Sequence, residues 1–425
     1  MITRNADLLI VEGPIALPQG ENRSVQERLR VEIDTTSGVI CDVGPPCGNG
    51  DLVLDDTYLI LPGLIDAHVH AREDTTGTES YKEDFASASE AALHGGVTAI
   101  AEMPNNPRPP LDDDSYRAKR RLARASAAVD VLLFAGVGPR TRPLSFPVPY
   151  KAYMGPSVGD LYFRDDESLR ETLARYRGKR VAFHAESPAI LERCREAPTH
   201  AEQRPPHAEV EAIRTAIEFC SAFAIDVHIC HLSTAEGLEV IRTARKRGIH
   251  VSCEVIPQHL YYDQDNLSVF AHPGFLQCNP PIRSRLDRIA LLEAFCAGEI
   301  DFFATDHAPH SYEENERGIS GMPHLDTYGP FLFWLHAEGA AWSTLIDACC
   351  VRPGRFFNDY LPDLRGRIEA GWLGNLTVLV RKPVTIRRST LRTKAGWSPF
   401  QGVTFPGRVS HTIIRGKIYP QDLED

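Results

Sequence analysis

The segment Asp66-Ala-His68-Val-His70-Ala-Arg72 follows an apolar run that begins near Ile60. Side chains of an extended segment alternate, so Asp66, His68, His70 and Arg72 are expected on one face, where two imidazoles two residues apart can share a metal ion. Alone, such a pair among 16 histidines could be coincidence. Further metal-capable side chains end other apolar runs: His184 closes Val181-Ala-Phe-His, His231 closes Val227-His-Ile-Cys-His, and Asp306 follows Phe302-Phe-Ala-Thr. Four histidines and an aspartate exceed what one tetrahedral zinc with an open position needs, so a two-metal centre is the economical expectation.

A metal pair calls for a bridging anion. Lys151, in Tyr150-Lys-Ala-Tyr-Met154, lies within an expected strand, where burying an ammonium is costly. Beside cations its amine would lose a proton readily, and a neutral amine can combine with carbon dioxide to give a carbamate with two bridging oxygens. The plain alternative is a surface lysine whose stem lies along the strand.

The elements that must position these groups alternate short β-branched runs with longer amphipathic stretches from Leu61 to about Phe357, the pattern of repeated βα units. Eight strands are expected: Ile60 to Ala67, Val97 to Met103, Val131 to Val137, Val148 to Tyr153, Arg180 to Ala185, Ile225 to His231, His250 to Val255, and Asp301 to Thr305. Eight such units suggest an α/β fold with a (β/α)8 TIM-like barrel, whose chemistry sits at the C-terminal ends of the strands, where His184, His231 and Asp306 fall. Capping boxes Ser80/Glu83 and Ser233/Glu236 mark two helix starts, and Asn105 to Pro110 and Glu196 to Pro206 read as long loops after strands. Short strands at Ala6 to Val11, Arg30 to Asp34, Leu52 to Leu54, Leu376 to Val380 and Thr412 to Ile418 flank the repeats. Each flank is too short for its own core, so residues 1–60 and 360–425 are expected to form one small β-sandwich domain beside a barrel of residues 61–359.

The order HxH, Lys, His, His, Asp along these units resembles the amidohydrolase superfamily, in particular its cyclic-amidase branch of dihydroorotases, hydantoinases and allantoinases. The resemblance covers nearly the whole chain. It implies that His68 and His70 bind one zinc ion with Asp306, that His184 and His231 bind a second, that a carboxylated Lys151 bridges the two, and that Asp306 moves protons. Arg72, Asn105, Asn279 in Cys278-Asn-Pro-Pro-Ile, and His310 in Asp306-His-Ala-Pro-His look like the substrate contacts of the dihydroorotases, because an arginine fork suits a carboxylate. The implied reaction interconverts L-dihydroorotate and N-carbamoyl-L-aspartate. Hydrolysis of allantoin, a hydantoin or another cyclic ureide is the alternative, and a non-catalytic structural homologue is a third. Asp66 and His307 are expected to orient the site, and His228, His250 and His259 to be structural. Three segments depart from the dihydroorotase pattern: Glu73-Asp74-Thr75-Thr76, Ile256-Pro-Gln-His259, and Gly321 to Asp326, with its His324 and Asp326.

A net charge of −11 argues against nucleic acid or an anionic membrane as the main partner. No stretch of about 18 apolar residues and no leader-like start is present, and ten scattered cysteines without a CxxC pair suit reduced thiols, so a cytoplasmic location is expected. The expected partner is a small-molecule substrate. A homo-oligomer is also expected, and the resemblance implies a possible association with aspartate transcarbamoylase.

Overall fold

The computed structural model describes residues 7–18, 26–156, 161–267 and 273–422. The chain opens with β1 (Leu8–Ala16), β2 (Gln26–Asp34), β3 (Val39–Gly44), β4 (Leu52–Val53) and β5 (Tyr58–Pro62). The parallel strands follow: β6 (Leu64–Val69), β7 (Val97–Glu102), β8 (Asp130–Leu133), β9 (Ala135–Val137), β10 (Tyr150–Tyr153), β11 (Arg180–His184), β12 (Asp226–Ile229), β13 (Val251–Val255) and β14 (Phe302–Phe303). It closes with β15 (Leu376–Val380), β16 (Val384–Thr385), β17 (Thr404–Phe405), β18 (Arg408–Ile414) and β19 (Lys417–Pro420).

The fold is mixed α/β. Strands β6-β7-β8 form one parallel sheet and β14-β13-β12-β11-β10-β9 another. All six residues of β6 and all six of β7 are buried, as expected of parallel strands covered on both faces. On one side the amide of Phe134, between β8 and β9, donates to the Glu102 carbonyl at 3.0 Å. On the other, a parallel bridge joins Val69 to His307, and the His70 amide donates to the His307 carbonyl at 2.8 Å. Each expected barrel strand has a counterpart, but two are divided: the first between β5, which joins the terminal sheet, and β6, and the third, Val131 to Val137, between β8 and β9, which lie in different sheets.

The flanking strands form one sheet in the order β19-β18-β15-β5-β1-β2-β3, with β4 on β1, rather than two separate layers. Val31 and Ile33 of β2 share a core with Leu376 and Val378 of β15, so the sheet bends over on itself. The expected Thr412 to Ile418 strand is a hairpin instead, because Arg415 and Gly416 take left-handed φ of 50° and 79° and turn the chain between β18 and β19. The first strand extends to Ala16, while Ala6 and the residues before it lie outside the described ones.

Both expected helix starts are displaced. The first helix is Phe85–His94, capped by Asp84 with Ser87, because Glu83 is buried and accepts from Ser87, Thr393 and Lys394 instead of reaching back to Ser80. The second is Ala235–Lys246, capped by Thr234, because the Ser233 amide and hydroxyl both donate to buried Glu209. Residues 196–206 follow the helix Pro188–Cys194 rather than a strand, and contain a short helix, His200–Gln203, with its own Thr199/Glu202 capping box. All ten cysteines are free thiols, and among the described residues no helix is long and apolar enough to cross a membrane.

Candidate metal centre

His68 and His70 leave the end of β6 beside Asp306, which lies just past β14: the Nε2 atoms are 3.3 and 3.1 Å from one Asp306 carboxylate oxygen. One ligand atom from each of the three residues lies within 4.8 Å of the others. His184 ends β11 and His231 follows β12, with His184 Nδ1 3.1 Å from His231 Nε2. Their ring centroids are 4.8 Å apart, and those of His231 and His68 5.4 Å, so the two histidine pairs face one another. Lys151, fully buried in β10, pairs in register with Ala182 of β11 and places Nζ 2.7 Å from the Cys230 thiol, one residue before His231. The four histidines and Asp306 thus come together at the C-terminal ends of the parallel strands, with Lys151 just inside them in β10.

Of the four residues expected on one face, His68, His70 and Arg72 line one cavity, whereas Asp66 does not. The β6–β7 register shifts between Asp66 and Val69, and Ile65 and Ala67 pack in the core between the strands. Asp66 turns aside to accept from the Thr305 amide (3.0 Å), the Thr305 hydroxyl (2.5 Å) and the His68 amide (3.2 Å). It ties β6 to the end of β14, and burial raises its pKa to about 7. Arg72, His231 and Asp306 adopt φ of 61°, 36° and 49°, conformations disfavoured for side chains with a Cβ and concentrated where function demands them.

The donor set suits divalent cations. Burial, with the positive charges of Lys151 and Arg72 nearby, holds His70 well below the usual imidazole pKa, and burial together with His184 does the same to His231; His68 and His184 are lowered mainly by burial. Neutral imidazole is the ligating form. Partners behind the rings set which nitrogen faces inward: Glu254 holds His68 at Nδ1, and Glu186 holds His184 at Nε2 at 2.8 Å. Glu186 is itself paired with Arg204, which with His184 brings its pKa to about 2 despite burial.

The same cavity is lined by Arg72, Asn105, Asn279, Tyr153, Gln258 and the Ser320–Met322 strip. Arg72 donates from Nε to the Pro309 carbonyl (3.2 Å), and its Nη2 lies 3.1 Å from His310 Nε2, with Nη1 uncommitted among the described residues. His310 therefore sits behind Arg72 rather than on the cavity wall, and burial beside that guanidinium lowers its pKa to about 2. Gly321, at φ 142°, lies so close that a Cβ would stand 2.4 Å from the Ala308 carbonyl, which keeps this strip against the site.

Sequence reasoning missed Glu254, Glu186 and the Glu102–Lys119 pair. Glu102 accepts from the Ala71 amide (2.6 Å) and from Lys119 (2.8 Å), which also reaches the Met103 carbonyl and Asn106, so one ion pair braces the segments carrying Arg72 and Asn105. A glutamate inside the apolar runs Val251 to Val255 and Val97 to Glu102 is the signal that could have found two of them. His307 accepts the His324 and Leu325 amides at Nδ1 and meets Glu83 at Nε2 (3.2 Å). Asp326 accepts the Arg392 and Thr393 amides at 2.7 and 3.1 Å and faces His94, so this departure from the dihydroorotase pattern anchors the C-terminal segment. His259 Nε2 meets the Pro280 carbonyl at 3.0 Å, and exposed His250 pairs with Asp226.

Residues 59–419 match the model of the Amidohydrolase family. The chain belongs to the amidohydrolase family. Among its amidohydrolase relatives, the dihydroorotase of Pyrococcus furiosus is 34% identical over 381 residues, covering 89% of this chain and 85% of the relative. The multifunctional protein CAD of Squalus acanthias is 30% identical over 392 residues, covering 89% of this chain and 16% of that longer protein. Among solved structures, the L-hydantoinase (dihydropyrimidinase) from Arthrobacter aurescens superposes with a TM-score of 0.86 at 23% identity, covering 98% of this chain and 96% of that one, and so shares the fold.

Proposed function

We propose that this amidohydrolase is a dihydroorotase, interconverting L-dihydroorotate and N-carbamoyl-L-aspartate. The observation that carries the substrate assignment is Arg72, fixed by Pro309 and His310 and opening on the same cavity as His68, His70 and Asp306. The relatives named dihydroorotase support the same reading. Two zinc ions per chain, His68, His70 and Asp306 around one and His184 and His231 around the other, would supply hydroxide near neutral pH and polarise the ring carbonyl. The Lys151 amine would add to carbon dioxide, losing its proton, and bridge them as a carbamate.

In this reading Arg72, Asn105 and Asn279 bind the substrate carboxylate, and His310 holds the Arg72 guanidinium in place. An Asp306 oxygen accepts the proton of the attacking water and returns it to the departing ring nitrogen, acting as base and then acid. Burial favours its protonated form, while His68 beside it pulls the other way, a balance that suits both halves of the task. Turnover of dihydroorotate beside allantoin and dihydrouracil, with metal content measured on the same sample, tests this. Preference for allantoin or dihydrouracil would move the assignment to the ureide hydrolases.

The two parallel sheets complete a closed (β/α)8 barrel of residues 61–359 in this account, with the small sheet domain drawn from residues 1–60 and 360–425. The enzyme works in the cytoplasm as a homo-oligomer, and a relative embedded in a longer multifunctional chain supports an association with aspartate transcarbamoylase. Co-elution of the two purified proteins tests that association.

A further inference from the structure

Opposite the metal centre, at the N-terminal ends of the parallel strands, lies a second cleft of about 340 Å³. Its rim includes Arg180 and Asp226, the first residues of β11 and β12, and Asp301 just before β14. Its depth comes from small side chains: Ala67 and Ala182 line it where barrel interiors ordinarily carry valine, isoleucine or leucine. The volume falls within the ~300–1,000 Å³ of small-molecule sites.

The walls are aromatic. Phe356 stands 5.8 Å from Phe134 and 6.0 Å from Phe302, ring centre to ring centre, and the His228 ring lies 4.9 Å from Phe302. The mouth carries as many carboxylates, Asp226, Asp301 and Asp359, as guanidiniums, Arg180, Arg352 and Arg355, but they are not paired one to one. Asp226 and Asp359 both pair with Arg180, and Asp301 pairs with Arg245. Arg352 donates only to the carbonyls of Ile300 (2.7 Å) and Gly298 (3.1 Å), and Arg355 makes no hydrogen bond or ion pair among the described residues. Asp347 feels both charges from outside ion-pair distance. The cleft therefore presents an aromatic wall beside two cations, Arg352 and Arg355, that no carboxylate contacts among the described residues, the carboxylates at its mouth being committed to Arg180 and Arg245.

We propose that this cleft binds a small planar aromatic carboxylate, its ring among Phe134, Phe302 and Phe356 and its anion on Arg355 and Arg352. Such a ligand buries π surface against rings and supplies the carboxylate that the guanidinium fork fits. The site is distinct from the metal cavity and does not depend on which cyclic amide is hydrolysed there.

The test is calorimetric titration of the full-length, metal-loaded protein with 2-naphthoate, its neutral isostere 2-naphthamide, and 2-naphthoate on Arg355→Gln. One-to-one binding is expected for the carboxylate, with the amide and the variant each weakened about tenfold, ~1.4 kcal/mol. Binding should persist when N-carbamoyl-L-aspartate is present in excess. No binding, equal binding of acid and amide, or an unaffected Arg355→Gln would overturn the proposal; so would competition by N-carbamoyl-L-aspartate, which would put the probe in the metal cavity. Because the readout is heat of binding, it stands or falls separately from the hydrolase assignment.

Discussion

Glu254 grips His68 at Nδ1 with one carboxylate oxygen, while the other meets His228 Nε2 at 2.9 Å. The first oxygen also accepts the His231 amide at 3.1 Å, so one buried carboxylate from β13 aligns residues of both histidine pairs. The two imidazoles pull its pKa far below the ordinary range despite burial, which keeps it an acceptor and leaves His68 Nε2 free to face Asp306.

Glu254→Gln should lower metal affinity about 10–100-fold, the usual effect of losing such an outer partner. Competition against a chelator of known affinity measures it. A metal affinity equal to that of the parent protein would refute the orienting role.

Lys151→Ala should lower metal content and activity together, since the buried amine lies among the histidines and beside Cys230. Metal analysis after gel filtration decides it. Two metals per chain retained in the variant would eliminate the carbamate bridge.

Arg72→Ala should cost about 2–5 kcal/mol in kcat/KM for dihydroorotate, the range for truncating one side of a buried charge pair. Dihydrouracil, which lacks the carboxylate, should lose far less, and metal content should hold. Equal losses on the two substrates would remove Arg72 from substrate recognition.

Lys119→Met leaves Glu102 buried and unpaired, both members of the pair being nearly inaccessible. Breaking such a pair costs ~3–5 kcal/mol, which urea unfolding will read as a lowered midpoint. An unchanged midpoint would show that the brace contributes nothing to stability.

Chelation of the metals should abolish hydrolysis, and zinc should restore it, because the histidines are held neutral and aimed inward. Activity that survives with metal undetectable would sink the two-metal reading.

The strand positions and the six candidate ligands were legible because polar, metal-capable residues interrupt otherwise apolar runs, and such interruptions are costly unless a site uses them. His184 ending Val181-Ala-Phe-His and Asp306 following Phe302-Phe-Ala-Thr both lie where that logic places them. The helix starts were misplaced because Ser80/Glu83 and Ser233/Glu236 satisfy a local rule, whereas Glu83 and Glu209 have distant partners that outbid it. Likewise, nothing local to Asp66 reveals that its partner is Thr305.

The order and spacing of the histidines, lysine and aspartate, together with the rhythm of apolar runs, determined by themselves the family and the kind of chemistry. The tertiary structure alone decided that Glu254 and Glu186 stand behind the imidazoles, that His310 braces Arg72 instead of lining the cavity, and that the flanks join in a single folded-over sheet. The reason is physical: periodicity and burial patterns are local properties of a chain, while the partner of a buried charge is chosen by whichever distant strand closes the low-dielectric space around it.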